Sequence, residues 1–518
     1  MSLLLQATAT VGLASGLSIL LKMVGAKLVA STLGPSGVGV YAQLVLIADF
    51  GAIVSFLGLG TGIIRYASEF RSGENWGRLR GLESTLVFTI VPFSLLIGAS
   101  IVVLSDELSS ILLDEPGYGL AITLVGVSLP FYAAAGIAES LINGAKQVRS
   151  RAITLAASAA ASLAFLLPLV LFLGVLGAAI SLAAAAAFRA ATAWFYAVRL
   201  ETNRPAGRRW STTLYDVNML GRVLQYGITS LTSTPIMYFS VLLVRTSIIT
   251  QLGSSANGLY QVVWASQASW LPLVLSGSYS YFYPSYCEAK DSQSRCDQMN
   301  SMIRSIVLVS TPFLAVYMLF RPEVVLALYT PQFLPAVPLL GISLLYGLFS
   351  LLTHLLIVPL LASGRFWVIV ALNSLQQAVF VAGSHFLLPI FQLYGVVYSA
   401  GIASVLVTVS SLLYARQFLN LRLSAANIKT LSLSMALILA VFGLSELPRP
   451  MGLAASFALL VVWADQVLDR SELANLRDLA SSRAKWIPFL GRNAAGHDYL
   501  GPRKYPSASP RDQPSNPR

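Results

Sequence analysis

Apolar runs of about 20 residues, the length that crosses a bilayer as a helix, follow one another along almost the whole chain. Short polar or Gly- and Pro-bearing breaks separate them. Hydropathy places spans at roughly 8–32, 38–63, 83–105, 119–143, 152–173, 176–198, 225–251, 257–284, 303–320, 337–360, 366–390, 394–415, 430–447 and 451–468. The break between the fifth and sixth, in "LFLGVLGAAIS", is the weakest. The first is marked by Gly34-Pro35-Ser36. Glycine tolerates left-handed geometry and proline cannot continue a helix, so the first span ends there, and Ser36 is placed to cap the second. Beyond Leu468 the pattern reverses to polar. "ELANLRDLASSRAKWIPFLG" predicts a short interfacial helix, and the stretch from about 490 predicts disorder.

Composition agrees with the pattern. The 518 residues are 56% hydrophobic and 11% charged, with mean hydropathy +0.72. A soluble domain carries about a quarter charged residues, so this chain cannot cover a water-facing surface. It is predicted to be an all-α integral membrane protein. The net charge of +12 would suggest nucleic acid in a soluble chain. Here it reads as the positive-inside rule. With the N-terminus cytoplasmic, 28 of the 34 Lys and Arg fall on cytoplasmic loops and the tail. Arg321 and Arg449 fall outside, and Lys22, Lys27, Arg189 and Arg245 lie within spans. The outer segment "DELSSILLDEPGYG" has four acids and no base. Both termini are expected in the cytoplasm and no nucleic-acid partner is expected. The N-terminus lacks a basic n-region, so the first span is read as retained. Cys287 and Cys296 match no metal motif and no disulfide framework.

The chain also repeats itself. "LGPSGVGVYAQ" from Leu33 returns as "LGSSANGLYQV" from Leu252, an offset of 219 at which Tyr41 falls on Tyr260 and Glu69 on Glu288. Pro92-Phe93 matches Pro312-Phe313 at 220, and Gly177 and Tyr196 match Gly395 and Tyr414 at 218. Spans 1–6 and 7–12 are therefore expected to be two parallel six-helix repeats related by an axis along the membrane normal. The implied organisation is an N-lobe at 1–200, a cytoplasmic linker at 201–224, a C-lobe at 225–416, two extra spans at 417–468 and a cytoplasmic tail at 469–518.

The charged first helix, "LGPSGVGVYAQ" and "GLGTGIIRYASEF" follow one another over Leu13–Arg80. This region resembles the Wzx-type polysaccharide flippases, within the superfamily that includes MATE drug exporters and lipid II flippases. The resemblance continues more loosely through the twelve repeated spans. It implies a MATE-like fold, with two six-helix bundles around a central cavity. It also implies translocation of an undecaprenyl-diphosphate-linked glycan, such as an O-antigen or exopolysaccharide unit, across a bacterial inner membrane. Membrane lipid, and a polymerase and chain-length regulator of the same pathway, are the partners it suggests. A monomer without cofactors is expected.

A charge at the bilayer centre costs about 2.5–3.5 kcal/mol on insertion scales and normally faces a cavity or a partner. Lys22 and Lys27 lie about 11 and 6 residues below the turn at Gly34, roughly 16 and 9 Å deep at 1.5 Å per residue. Arg245 lies about 7 residues below its own turn at Leu252, and the repeat sets it beside the position of Lys27. Arg189 sits near the middle of span 6. These four cations are the expected contacts for a diphosphate, with Arg supplying a fork and Lys a mobile point charge. Other readings stand beside this one. Lys27 is shallow enough to snorkel outward. Asp49 either neutralises Lys22 or couples protons. Arg189 is a cavity cation or a partner for an acid, and Glu139 is a rim residue or a relay. Arg65 marks the membrane boundary or attracts substrate at the entry. His354 and His385 read as core histidines. The aromatics of "SYSYFYPSY" fit sugar stacking and an interfacial belt equally well.

No Gly-Lys dipeptide, HExxH or GxSxG occurs, and every outer loop is short, which argues against a P-loop ATPase, a hydrolase or a polytopic glycan polymerase. A MATE-like exporter of cationic drugs should lead with carboxylates. Here four intramembrane cations face one deep acid, Asp49, which favours an anionic substrate. A lipid II flippase shares that preference.

Overall fold

The computed structural model describes residues 2–199, 215–289 and 291–468, and within them the chain is helix joined by short turns. The elements are α1 (Ser2–Phe56), α2 (Gly60–Ser72), α3 (Trp76–Val103), α4 (Ser105–Leu113), α5 (Gly119–Gly144), α6 (Val148–Arg199), α7 (Val217–Leu252), α8 (Ser254–Glu288), α9 (Ser292–Leu319), α10 (Arg321–Leu328), α11 (Ala336–Leu345), α12 (Gly347–Ala362), α13 (Phe366–Phe391), α14 (Leu393–Phe418), α15 (Ala425–Leu444) and α16 (Arg449–Val467). Ten helices among the described residues are long and apolar enough to cross a membrane, eleven if the bent pair α11–α12 is one span. Two of them, α1 and α6, are of double length and break at Gly34 and Gly174. Each therefore supplies two of the expected spans. The eighth expected span, 257–284, lies within α8. The expected tail helix and disordered C-terminus lie outside the described residues.

The breaks have local causes. Gly34 adopts φ 64°, ψ −172°, and Gly253, 219 residues on, adopts φ 85°, ψ 166°. A Cβ at such φ is strained, which is why glycine stands there. Gly174 has φ 57°, ψ −132°, and Gln392, 218 residues on, has φ 52°, ψ −138°. Several expectations shift. The second half of α1 starts at Pro35, the first-turn position proline favours, so Gly34 rather than Ser36 holds the position before it. The second span stops at Phe56 rather than near 63, because Leu57 and Gly58 both take left-handed φ (53° and 59°). The segment bearing Arg65 thus becomes a separate amphipathic helix, α2. The seventh span begins at Val217 instead of 225. Asp216 accepts a hydrogen bond from the Asn218 N–H at 2.9 Å and starts the helix within the expected linker. The tenth span bends by 45° between α11 and α12. The short helices α4 and α10 were not legible, being too brief for a hydropathy window.

The surface inverts that of a soluble protein: Leu96, Phe172, Phe386 and Ile390 are largely exposed. The interior joins both halves of the chain. Val40, Leu44 and Ile47 of α1 share one buried cluster with Val241 and Ile248 of α7, Val263 of α8 and Leu339 of α11. At the other end Met219 and Val223 of α7 are buried with Leu59, just before α2, Ile63 of α2, and Leu82 and Leu86 of α3. Apolar side chains gain little by leaving lipid for protein, so such contacts depend on close packing.

Candidate functional site

Tyr132 and Glu139 lie seven residues apart, two turns on one face of α5. Arg189 reaches Glu139 from the second half of α6. Its Nε donates to Oε1 at 2.7 Å and its Nη2 to Oε2 at 2.8 Å, a bidentate pair. Arg189, expected as a cavity cation or as a partner for an acid, and Glu139, expected as a rim residue or a relay, are thus brought together. Asp49, in the second half of α1, lies within electrostatic range of both Lys22 and Arg189. Tyr41, Tyr132 and Tyr238 lie within range of Asp49 in turn. Among the described residues Asp49 forms no salt bridge with Lys22, whose side chain is exposed. The first half thus assembles two cations and two carboxylates from α1, α5 and α6.

Because the Arg189–Glu139 pair is partly exposed rather than enclosed in the core, its removal should be mild for stability. Arg189→Met is expected to cost about 1 kcal/mol, read as thermal unfolding in detergent. Adding Glu139→Gln should cost nothing further. Fully additive losses would show that the two groups act independently.

The second half places Arg245 differently. Only 1% of it is exposed. Its Nη2 donates to Gln261 Oε1 at 2.5 Å, and its guanidinium sits 5.4 Å from the Tyr260 ring centre and 5.8 Å from that of Trp264. Tyr260, Gln261 and Trp264 come from one face of α8, within a turn of each other. Nε and Nη1 meet no protein acceptor. The sequence singled out Arg245 but not this aromatic and amide cradle, although Tyr260 and Gln261 belong to the repeated motif itself.

Lys27, on the first half of α1, is held by backbone rather than by a side chain. Its Nζ donates to the backbone carbonyls of Leu326 and Tyr329, at the end of α10. Tyr329 is the link between the two cations, since it also lies within electrostatic range of Arg245. Arg65 is exposed on α2, with its guanidinium 6.0 Å from the Tyr66 ring centre. His354 is half-buried with Nδ1 2.8 Å from the Ser350 carbonyl oxygen, whereas His385 is exposed on α13. Much of the "SYSYFYPSY" stretch lies outside the described side chains.

The halves meet closely at the Gly34 end. Asn257 Nδ2 donates to the Gly39 carbonyl at 2.8 Å, and Gln43 Nε2 donates to Thr246 Oγ1 at 3.1 Å. Beside this seam lies a cavity of about 700 Å³ lined by Ser31, Thr32, Ser36, Ser255, Thr330 and Gln332 among others. An apolar groove of about 940 Å³ runs between α12, α13, α14 and α15. Neither is lined by Lys22, Arg189 or Arg245.

A bundle of this kind, apolar outside with ionisable groups between its helices, is that of a multi-pass membrane protein. Solved structures carry the same fold. An inward-facing multidrug resistance MATE family transporter of the MOP superfamily superposes with TM-score 0.65 at 16% identity, covering 80% of this chain and 96% of that one. The lipid II flippase MurJ, in an inward closed conformation, gives TM-score 0.66 at 12% identity, covering 91% and 99%. A MOP superfamily transporter from Pyrococcus furiosus Vc1, described as having a binding pocket of reversed polarity, gives 0.58 at 14%, covering 80% and 95%. No curated protein matches in sequence. A family model for polysaccharide biosynthesis protein matches residues 28–338. The chain belongs to that family.

Proposed function

We propose that the protein carries an undecaprenyl-diphosphate-linked oligosaccharide, an O-antigen or exopolysaccharide unit, from the cytoplasmic to the periplasmic leaflet of a bacterial inner membrane. Transport proceeds by alternating access between an N-lobe (1–200) and a C-lobe (225–416), with both termini cytoplasmic. The matched glycine breaks at 34 and 253, and the matched left-handed residues at 174 and 392, support the reading of two parallel repeats. The observation that carries the substrate class is Arg245. A fully buried guanidinium with two donors that meet no protein acceptor is costly unless an anion or water completes it. Lys22 and Arg189 offer cations from the other lobe. Lys27 is held by backbone in this conformation and joins them only when its contact with α10 opens. Asp49 and Glu139 balance the cations in the resting state, with Asp49 the candidate for ion coupling and Arg65 for the entry rim.

A lipid II flippase is the second reading. It is favoured by the alignment with MurJ, which extends over 91% of this chain. Reconstitution separates the two. Proteoliposomes should translocate a diphosphate-linked oligosaccharide, and Lys22→Ala should slow this at least roughly tenfold, the loss of about 1.4 kcal/mol of charge-assisted binding. Equal rates for wild type and Lys22→Ala would remove Lys22 from the site. Transport of lipid II alone would decide for the second reading.

A further inference from the structure

The hairpin of α15 and α16 falls outside the proposed repeat, and its end contacts show what it does. α10 opens with Arg321, which is 4% exposed. Arg321 Nη2 donates to Glu446 Oε1 at 2.7 Å and Nη1 to Ser445 Oγ at 2.8 Å, and the guanidinium lies 5.4 Å from the Phe442 ring centre. Gly341 of α11 leaves room for it: a Cβ there would come within 3.2 Å of the Arg321 Cζ. Two residues along α10, Glu323 pairs with Arg449, the first residue of α16. Two ion pairs of opposite sense thus clamp the start of α10 to both arms of the hairpin turn.

The other end of α10 faces the first lobe. The last carbonyls of a helix have no partner within it and carry its negative partial charge, so they attract a cation. The cation here is Lys27, whose Nζ contacts the Leu326 and Tyr329 carbonyls from α1, about 300 residues earlier in the chain. α4, the short helix at the matching place in the first half, begins Ser-Asp-Glu and lies far in sequence from any such hairpin.

We propose that the α15–α16 hairpin holds α10 in the position where its C-terminal carbonyls receive Lys27, and that this latch keeps the outer end of the lobe seam closed. Arg321 and Glu323 are positioning residues in this device: they touch neither lobe seam nor substrate, but set where the carbonyls stand. The latch rests on the alternating-access reading above. Opening it releases Lys27, with its charge, toward the path of the anionic substrate as the outer end parts. Closing it restores a charge contact that straddles the lobes.

The test uses the full chain in proteoliposomes, in a background with Cys287→Ser and Cys296→Ser. A single Thr246→Cys is placed on the seam, where Gln43 meets α7. Its rate of labelling by a membrane-impermeant maleimide from the outer side reports opening. Glu323→Arg sets two like charges against each other at Arg449 and is expected to raise the rate about fivefold. Lys27→Met, which keeps length but removes the donor, should raise it similarly without touching the hairpin. Glu323→Arg combined with Arg449→Glu should return the rate to within about twofold of the parent, a rescue that mere loss of packing would not give. Unchanged labelling in both Glu323→Arg and Lys27→Met overturns the latch. Glycan translocation by the parent is measured in the same vesicles. A parent that translocates while labelling stays flat defeats the latch alone. A parent whose labelling follows the expected pattern but which translocates no lipid-linked glycan defeats the proposed function and leaves the latch standing.

Discussion

Valine at Gly39 or Gly258 is expected to abolish transport while leaving the protein in the membrane at normal level. At this crossing the two halves touch backbone to backbone. A Cβ on Gly39 would lie 1.9 Å from the Ser254 carbonyl oxygen, and one on Gly258 would lie 1.9 Å from that of Pro35. Real Cβ atoms essentially never come within 3.0 Å of a neighbour, so α1 and α8 must move apart. Overpacking of this kind costs about 1–3 kcal/mol. The cost falls only on the state in which the seam is closed, since separated lobes do not bring these glycines together. A penalty of about 2 kcal/mol on one of two states shifts their ratio roughly 30-fold. The Thr246→Cys labelling described above should rise accordingly. Alanine should show a smaller shift in the same direction. Normal transport in both valine variants would mean that the seam is not obliged to close at this point.

Arg245→Met is expected to lower glycan transport at least roughly a hundredfold and to leave thermal stability unchanged or higher. Replacing a poorly paired buried charge with an apolar side chain of similar volume is often neutral or stabilising by about 1–4 kcal/mol. Arg245 has one hydrogen bond and two aromatic faces, but no carboxylate beside it among the described residues. A role confined to structure therefore predicts a stable Met variant that still transports. A role in holding the diphosphate predicts a stable variant that does not. Arg245→Lys should fall between, since it keeps the charge and loses the fork. Stability is read by thermal unfolding in detergent and transport in proteoliposomes. A Met variant with wild-type transport would exclude Arg245 from the substrate path.

The candidate site was legible residue by residue but not in its pairings. Lys22, Lys27, Asp49, Glu139, Arg189 and Arg245 stand out because an ionisable side chain inside an apolar run is costly. Their partners come from other helices, and one sequence carries no sign of which faces meet. Arg189 and Glu139 are fifty residues apart and meet only because α5 and α6 run side by side. Lys27 by sequence suits a cavity or the outer interface; it reaches backbone carbonyls, a third partner that composition never displays. The seam glycines were in view within "LGPSGVGVYAQ" and "LGSSANGLYQV", yet their role depends on two helices crossing within backbone contact. Arg321 and Arg449 were countable as outer-face bases, but not as members of ion pairs with Glu446 and Glu323.

The sequence by itself determined the membrane-spanning helical class, the run of apolar segments along the chain and the break at Gly34. Each of these follows from local chemistry: hydropathy over about 20 residues, or the φ that only some residues accept. The tertiary structure decided, among the described residues, which charges neutralise each other, which buried cation has no carboxylate beside it, and where the two halves touch. Those outcomes depend on distances of 2.5–4 Å between helices remote in the chain, and a local pattern cannot encode them.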